Sequence, residues 1–248
     1  MNPQGFDEFY TKTFARVLSV VIMASGSRLE AEDAVQDGYL SALRHWEQVG
    51  GYEQPDAWVI KVALRRLWRS RRAHQRKRQP LELTVPPQAA PDETAHAREV
   101  LSALAGLPAD VRIAMITCSV LGWTQAELAE VLDVPRNTIA NRIFRGRAML
   151  RVQLGLAGTL VGEQDALVAA PRRAEWSVVP DDDPVDGLLL QAERWLRAAV
   201  EAEPETAEWI MEQVTRQAAA PPSRWRHPGR TVSRWLGASG RAQPGAAR

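Results

Sequence analysis

Trp123–Arg147, WTQAELAEVLDVPRNTIANRIFRGR, decides the fold class. Thr124 is placed to cap a first helix, and Glu127, three residues on, completes a capping box; Leu128, Val131 and Leu132 supply the helix's apolar stripe. Asp133-Val134 makes a turn. Pro135, which needs no amide donor, sits where a second helix should begin. Arg136, Asn137, Thr138, Asn141, Arg142 and Arg145 then recur on a helical period, with Ile139 and Ile143 facing the other way. One face packs on a scaffold helix, and the other offers guanidinium and amide groups to base edges and phosphates in a major groove. A helical hairpin with a solvated polar face is the plainer alternative.

Working outward, nearly every periodic segment reads as helix and no alternating strand or hairpin is visible, so the expected fold is all-α. A first block spans residues 1–78, with helices around Phe14–Ala24, from Leu29 to His45, and from Pro55 into a basic run. Gln79–Asp92, QPLELTVPPQAAPD, holds four prolines and no apolar stripe and reads as a tether. A second block covers 93–154, opening with a helix around Ala95–Leu104, with Pro108 starting the next and the helix-turn-helix closing it. Residues 155–248 form an extension. Pro171–Pro184 reads as a second flexible link, Gly187–Ala202 as a helix with Leu188, Ala192, Trp195 and Ala199 on one face, and Pro204 onward as a helix through Trp209, Ile210 and Val214. From Pro221 the tail is rich in Arg, Pro and Gly without an acidic residue, which predicts disorder.

Composition narrows the function classes. Hydrophobic residues make up 45% of the 248, as in ordinary globular proteins. No apolar run approaches the roughly 18 residues of a membrane span and no signal core opens the chain, which predicts a cytoplasmic protein without stable membrane insertion. Cys118 is the sole cysteine, so an intrachain disulfide or thiolate zinc cluster is excluded; Ile113, Ile116 and Val120 around it suggest a core position. Histidines at 45, 74, 96 and 227 are scattered, and no glycine-rich phosphate cradle is present, so no catalytic residue, metal site or cofactor is expected.

Net charge is only +1, but it is segregated. Lys61–Arg78 carries nine Lys or Arg and no acid, and 28 of the chain's 31 basic residues are arginine, suited to bidentate phosphate contact and to stacking on bases. Just before it, LEAEDAVQDGYLSALRHW (29–46) concentrates Glu30, Glu32, Asp33 and Asp37, while Ala34, Val35, Leu40 and Leu43 can pack inward. An acidic shoulder beside an arginine helix would let one face dock a basic protein while the next approaches nucleic acid. A purely intrahelical charge pattern is the alternative, worth tenths of a kcal/mol.

Taken in order, these parts resemble an extracytoplasmic-function sigma factor, the small class of bacterial transcription initiation subunits, over about residues 6–154. AEDAVQD (31–37) is similar to the family's polymerase-docking signature, DAWVIKVALRRLWRSRRAHQRKR (56–78) to its melted minus-10 element helix, and residues 107–150 to its minus-35 reader. The resemblance implies a non-catalytic subunit whose partners are core RNA polymerase and promoter DNA, with an anti-sigma factor as a further candidate. Glu32, Asp33, Gln36 and Asp37 would face the polymerase. Arg65, Arg66, Arg69, Arg71 and Arg72 would hold the minus-10 region, with Trp46, Tyr52 and Trp58 near the strand-opening surface. Arg136, Asn137, Thr138, Asn141, Arg142 and Arg145 would read the minus-35 element. Core burial is the competing reading for each tryptophan, Trp68 above all. The sequence departs from the family at Arg65, where many members carry Asn, at Arg69, where an acid is common, and at Asp133, where glycine is usual. A stand-alone helix-turn-helix regulator is the rival reading, and it leaves residues 29–78 unexplained. The extension lies outside the resemblance and contains no recognisable anti-sigma segment. It reads as a regulatory helix pair limiting access to polymerase, as a basic tail with affinity for DNA or membrane, or as an appendage without a role.

Overall fold

The computed structural model describes residues 5–73, 91–156 and 183–219, with backbone only at 71–73 and 91. Among these residues there are helices and no strand: α1 (Phe6–Ser25), α2 (Arg28–Arg44), α3 (Trp46–Val49), α4 (Pro55–Ala73), α5 (Pro91–Gly106), α6 (Ala109–Ser119), α7 (Gln125–Leu132), α8 (Arg136–Gln153), α9 (Pro184–Glu201) and α10 (Pro204–Ala219).

Helix α1 begins at Phe6 rather than Phe14, because Phe6, Tyr10 and Phe14 recur every four residues and extend its buried stripe by two turns. Over Val17–Ala24 almost every side chain is buried, the signature of a helix surrounded by others. It packs against α2, α4, α6 and α9. Gly26 ends it in the left-handed conformation (φ 66°), donating its amide to Ile22 O at 2.7 Å, and Ser27 caps α2 through its hydroxyl. At the other end of α1, Phe6, Phe9, Tyr10, Phe14, Tyr39 and Trp46 form an aromatic cluster, and Thr13 and the wholly buried Tyr39 hydrogen-bond at 2.9 Å.

The second block is organised around α6 and α8. Gly146 makes their approach possible: a Cβ there would lie 2.6 Å from Met115 Cγ and 2.9 Å from Val111 Cγ1. Helix α5 starts at Pro91, earlier than expected and inside the residues assigned to the tether, since Pro91 opens the helix with Asp92 and Glu93 in its first turn. The rest of that tether, 79–90, lies outside the described residues, as do the proposed link up to 182 and the basic tail.

The two blocks share one compact unit spanning Met1–Ala218. Local periodicity does not pair surfaces across the tether. In the structure α1 lies against α6, α4 against α7, and α9 runs across α1, α5, α6 and α8. At the seam Arg112, 5% exposed, donates to Ala24 O (3.1 Å) and Ser25 O at the end of α1, and to Leu104 O (3.2 Å), Ala105 O (3.2 Å) and Leu107 O (3.3 Å) at the end of α5. One buried cation thus terminates two helices from different blocks, each presenting the negative end of its dipole. Gly26 makes room for it, as a Cβ at that position would sit 2.6 Å from the guanidinium carbon.

The extension's helices extend the same core. Asp183 caps α9, accepting from the Val185 amide at 3.0 Å, and Pro184 takes the first helical position, which moves the start ahead of Gly187. Val185, Leu189, Ala192, Trp195, Leu196, Ala199 and Val200 are buried, as are Ile210 and Val214 of α10. Helix α10 runs from Pro204 through Trp209, Ile210 and Val214 as expected, with Trp209 50% exposed on its outer side.

Candidate nucleic-acid and protein-docking surfaces

The helix-turn-helix forms as its local chemistry dictates. Thr124 N donates to Glu127 Oε2 (2.8 Å) and Glu127 N to Thr124 Oγ1 (3.2 Å), a complete capping box. Asp133 closes α7 in the left-handed region (φ 55°, ψ 54°), the conformation glycine supplies more cheaply. Pro135 is the N-cap of α8, one residue earlier than the helical position expected of it. Leu128, Leu132, Ile139 and Ile143 bury the shared face.

On the outer face of α8, Arg136, Asn137, Asn141 and Arg145 are exposed and Thr138 is half-buried. Arg142 differs. Its side chain is 14% exposed, its Nε donates to Asp110 Oδ2 at 3.0 Å, and its guanidinium lies 5.0 Å from the centroid of the Trp68 ring on α4.

Helix α4 presents Arg66 and Arg69 outward, with Arg65 and Lys61 half-buried between α4 and the rest of the unit. Arg65 Nε donates to Val131 O of α7 at 3.3 Å. Burial, then the charge of Arg65, pulls the Lys61 ammonium below the ordinary lysine range; burial, then Arg69, does the same to Arg65. Cations that depress one another in this way are stabilised by an approaching polyanion. Arg71 and Arg72 continue this helix, but their side chains lie outside the described residues. Trp46 packs at a tilt on Phe9 (4.9 Å) and edge-to-face with Phe6 (5.2 Å); it, Tyr52, Trp58 and Trp68 are all half-buried against the core.

On α2, Asp33 is exposed and Gln36 half-buried. Glu32 pairs with Arg28 at 2.8 Å, and Asp37 with Arg66 at 2.8 Å. Burial pushes the Asp37 carboxyl above the usual range despite Arg66 beside it, so its charge is held at a cost to the free chain. Glu32, Asp33 and Asp37 nonetheless share one side of α2, adjoining the cationic side of α4.

Several charged groups carry no local mark of their long-range partners. Arg147 and Arg151 of α8 are 14% and 11% exposed; Arg151 meets Asp183 at 2.9 Å, and Arg147 meets Asp186 at 2.6 Å and Asp183 at 3.3 Å. Arg28 bridges to Glu203 and, at 3.2 Å, to Thr206 of α10. Glu193 of α9, buried, accepts from Ser19 of α1 at 2.8 Å. The only signal in the sequence was the i, i+4 spacing of Arg147 and Arg151, which does not name a partner.

Among the described residues no group of His, Cys, Asp and Glu could hold a metal ion, and no helix is long and apolar enough to cross a membrane. Comparison with known proteins assigns the rest. The sigma-70 region 2 family model matches residues 9–77, which contain most of α1 and all of α2–α4, and the sigma-70 region 4 model matches 97–150, from within α5 into α8. The chain is 28% identical to the ECF RNA polymerase sigma factor SigM of Mycobacterium tuberculosis over 159 residues, covering 62% of this chain and 80% of the relative. It is 29% identical to SigL of the same organism over 153 residues (58% and 86%), and 30% identical to the ECF RNA polymerase sigma factor EcfG of Rhodopseudomonas palustris over 146 residues (55% and 78%). No solved structure is significantly similar. Two family regions in the expected order, carried by the helices just described, establish that this chain belongs to the ECF branch of the sigma-70 family, the alternative sigma factors that direct RNA polymerase to initiate transcription.

Proposed function

We propose that this sigma factor binds core RNA polymerase through the acidic side of α2, with Glu32, Asp33, Gln36 and Asp37 facing a basic surface, and reads a promoter at two places. Arg65, Arg66, Arg69, Arg71 and Arg72 of α4 hold the minus-10 region, with Trp46, Tyr52 and Trp58 at the edge where strands separate. An aromatic face stabilises an unstacked base by about 1–3 kcal/mol, enough to trap an opened strand but not to open a duplex unaided. Arg136, Asn137, Thr138, Asn141, Arg142 and Arg145 of α8 read the minus-35 element. Its site of action is the cytoplasm, on chromosomal DNA, and the chemistry of RNA synthesis belongs to the polymerase.

The observation that carries this reading is the outer face of α8: Arg136, Asn137, Asn141 and Arg145 are exposed while Ile139 and Ile143, one helical face away, are 0% and 3% exposed. Two modules held on one polymerase gain effective concentration, so promoter affinity belongs to the holoenzyme and the free chain binds DNA weakly. Run-off transcription with core polymerase and a genomic promoter library, with and without this chain, tests it. New start sites that disappear with Arg136→Ala and Asn141→Ala are the expected result; tight sequence-specific binding by the chain without polymerase refutes it.

A further inference from the structure

We infer that helices α9 and α10 are an inhibitor in cis: they hold the two DNA-binding blocks closed through an aspartate clasp on Arg147 and Arg151, and transcription requires its release. The inference rests on the promoter reading above and concerns how that activity is restrained.

The closed arrangement is incompatible with reading a promoter. By their names, the minus-35 and minus-10 elements lie about 25 base pairs apart, roughly 85 Å of duplex at about 3.4 Å per pair. Here a residue of the minus-35 helix, Arg142, lies 5.0 Å from the ring of Trp68 on the minus-10 helix, and Arg65 of that helix donates to the backbone of α7. Neither module can reach its own element until they part. The docking carboxylates are engaged too: Glu32 by Arg28, which also grips Glu203 of α10, and Asp37 by Arg66.

The extension is what spans the seam. Helix α9 contacts α1 of the first block and α5, α6 and α8 of the second, so separating the blocks must strip it from at least one. Its grip on the second block is ionic and buried: the Asp183 side chain is 1% exposed, shared between Arg147 and Arg151, and its other oxygen caps α9. Asp186 adds a bridge to Arg147 at 2.6 Å. Its grip on the first block is Ser19–Glu193 at 2.8 Å, the Tyr10 hydroxyl donating to Ala207 O at 2.8 Å, and the Arg28–Glu203 pair. Apart from the Asp183 cap, each of these contacts ties α9 and α10 to the DNA-binding blocks. They follow the last residue matched by the family regions, 150.

A restrained chain has an apparent affinity for polymerase reduced by its open fraction. Shifting that fraction from about 1 in 100 to about 1 in 10 would tighten core binding about tenfold. The test uses the full chain with Asp183→Asn and Asp186→Asn together, and with Asp186→Asn alone as the milder variant, since that side chain is 26% exposed and its loss leaves the α9 cap intact. Dyes on Glu47→Cys and Ala126→Cys, both exposed and in different blocks, report the separation. Core polymerase binding and run-off transcription at limiting sigma concentration are measured alongside.

The expected result is a longer dye separation, about tenfold tighter core binding and more transcript, graded from the single to the double variant. Asp186→Glu, which keeps a carboxylate beside Arg147 and leaves Asp183 untouched, should hold all three near the parent. Unchanged separation and unchanged core affinity in the double variant overturn the inference while the parent still transcribes. If no form, the parent included, binds core polymerase or starts transcripts, the promoter reading fails and this one with it.

Discussion

Arg112→Met is the sharpest perturbation of the architecture, because it keeps the aliphatic stem and removes only the cation that ends two helices. The guanidinium reaches five carbonyls, two on α1 and three around the end of α5, in a site where the residue is 5% exposed. Hydrogen bonds to a charged group contribute about 1.5–3 kcal/mol each when taken singly, and a cation at a partly buried helix C-terminus up to about 2 kcal/mol. These gains overlap and are offset by desolvating the cation, so they do not sum. The carbonyls left behind, however, are walled off from water, and two or so unsatisfied acceptors at about 1–3 kcal/mol each place the loss at about 3–5 kcal/mol. For a chain of this size that lowers the melting temperature by roughly 6–20 °C, at about 2–4 °C per kcal/mol. Guanidinium denaturation followed by far-ultraviolet circular dichroism measures it, with hydrogen exchange at Ala24–Ser25 and Leu104–Leu107 locating the damage. Arg112→Lys should recover part of the loss, since a single ammonium cannot serve both helix ends. A Met variant within about 0.5 kcal/mol of the parent would refute the claim that this cation joins the blocks.

Three further outcomes follow from local geometry. Asp133→Val should lower stability by about 1–2 kcal/mol because a β-branched residue is forced into the left-handed region, while Asp133→Gly should not lower it; equal denaturation midpoints for Val and Gly would contradict the assigned turn. Burial pushes the Cys118 thiol from 9.0 up to about 12, so the native chain should react with iodoacetamide far more slowly at pH 8 than the unfolded chain. The neutral thiol is the form favoured by folding, so its contribution is full below about pH 9 and is lost as pH rises toward about 12; alkylation at the free-thiol rate would exclude this. Asp37→Asn should leave the free chain as stable or slightly more so, because burial outweighs Arg66 there, yet weaken core polymerase binding by about tenfold, or about 1.4 kcal/mol; a titration showing equal affinity would remove Asp37 from the docking surface.

Local chemistry was legible in the sequence and long-range pairing was not. The Thr124–Glu127 box, the turn at Asp133 and the buried Ile139 and Ile143 are decided within a few residues, so spacing alone reveals them. The start of α1 was missed because Phe6 and Tyr10 serve an aromatic cluster completed by Tyr39 and Trp46, more than twenty residues away. Nothing local to Arg112 on α6 marks it for burial, and only the juxtaposition of two helix ends makes it a buried cation. The acidic residues leading into α9 read as a flexible link because nothing local distinguishes a solvated aspartate from one whose partner lies on α8.

That same distinction orders the opening of the chain. The Arg66–Asp37 pair has side chains 54% and 20% exposed, where an ion pair contributes about 0–1 kcal/mol and is weakened by salt. Polymerase or DNA can displace it with little penalty, exchanging one partner for another of the same sign. The Asp183 clasp, 1% exposed, behaves oppositely: removing either side strands a buried charge, so it yields only when α9 leaves as a unit and water enters. The surfaces on α2 and α4 are therefore the first to be contested, and the extension the last to let go. An agent that speeds initiation without touching DNA would act most effectively at the junction of α8 and α9, where a single buried carboxylate is shared by two arginines.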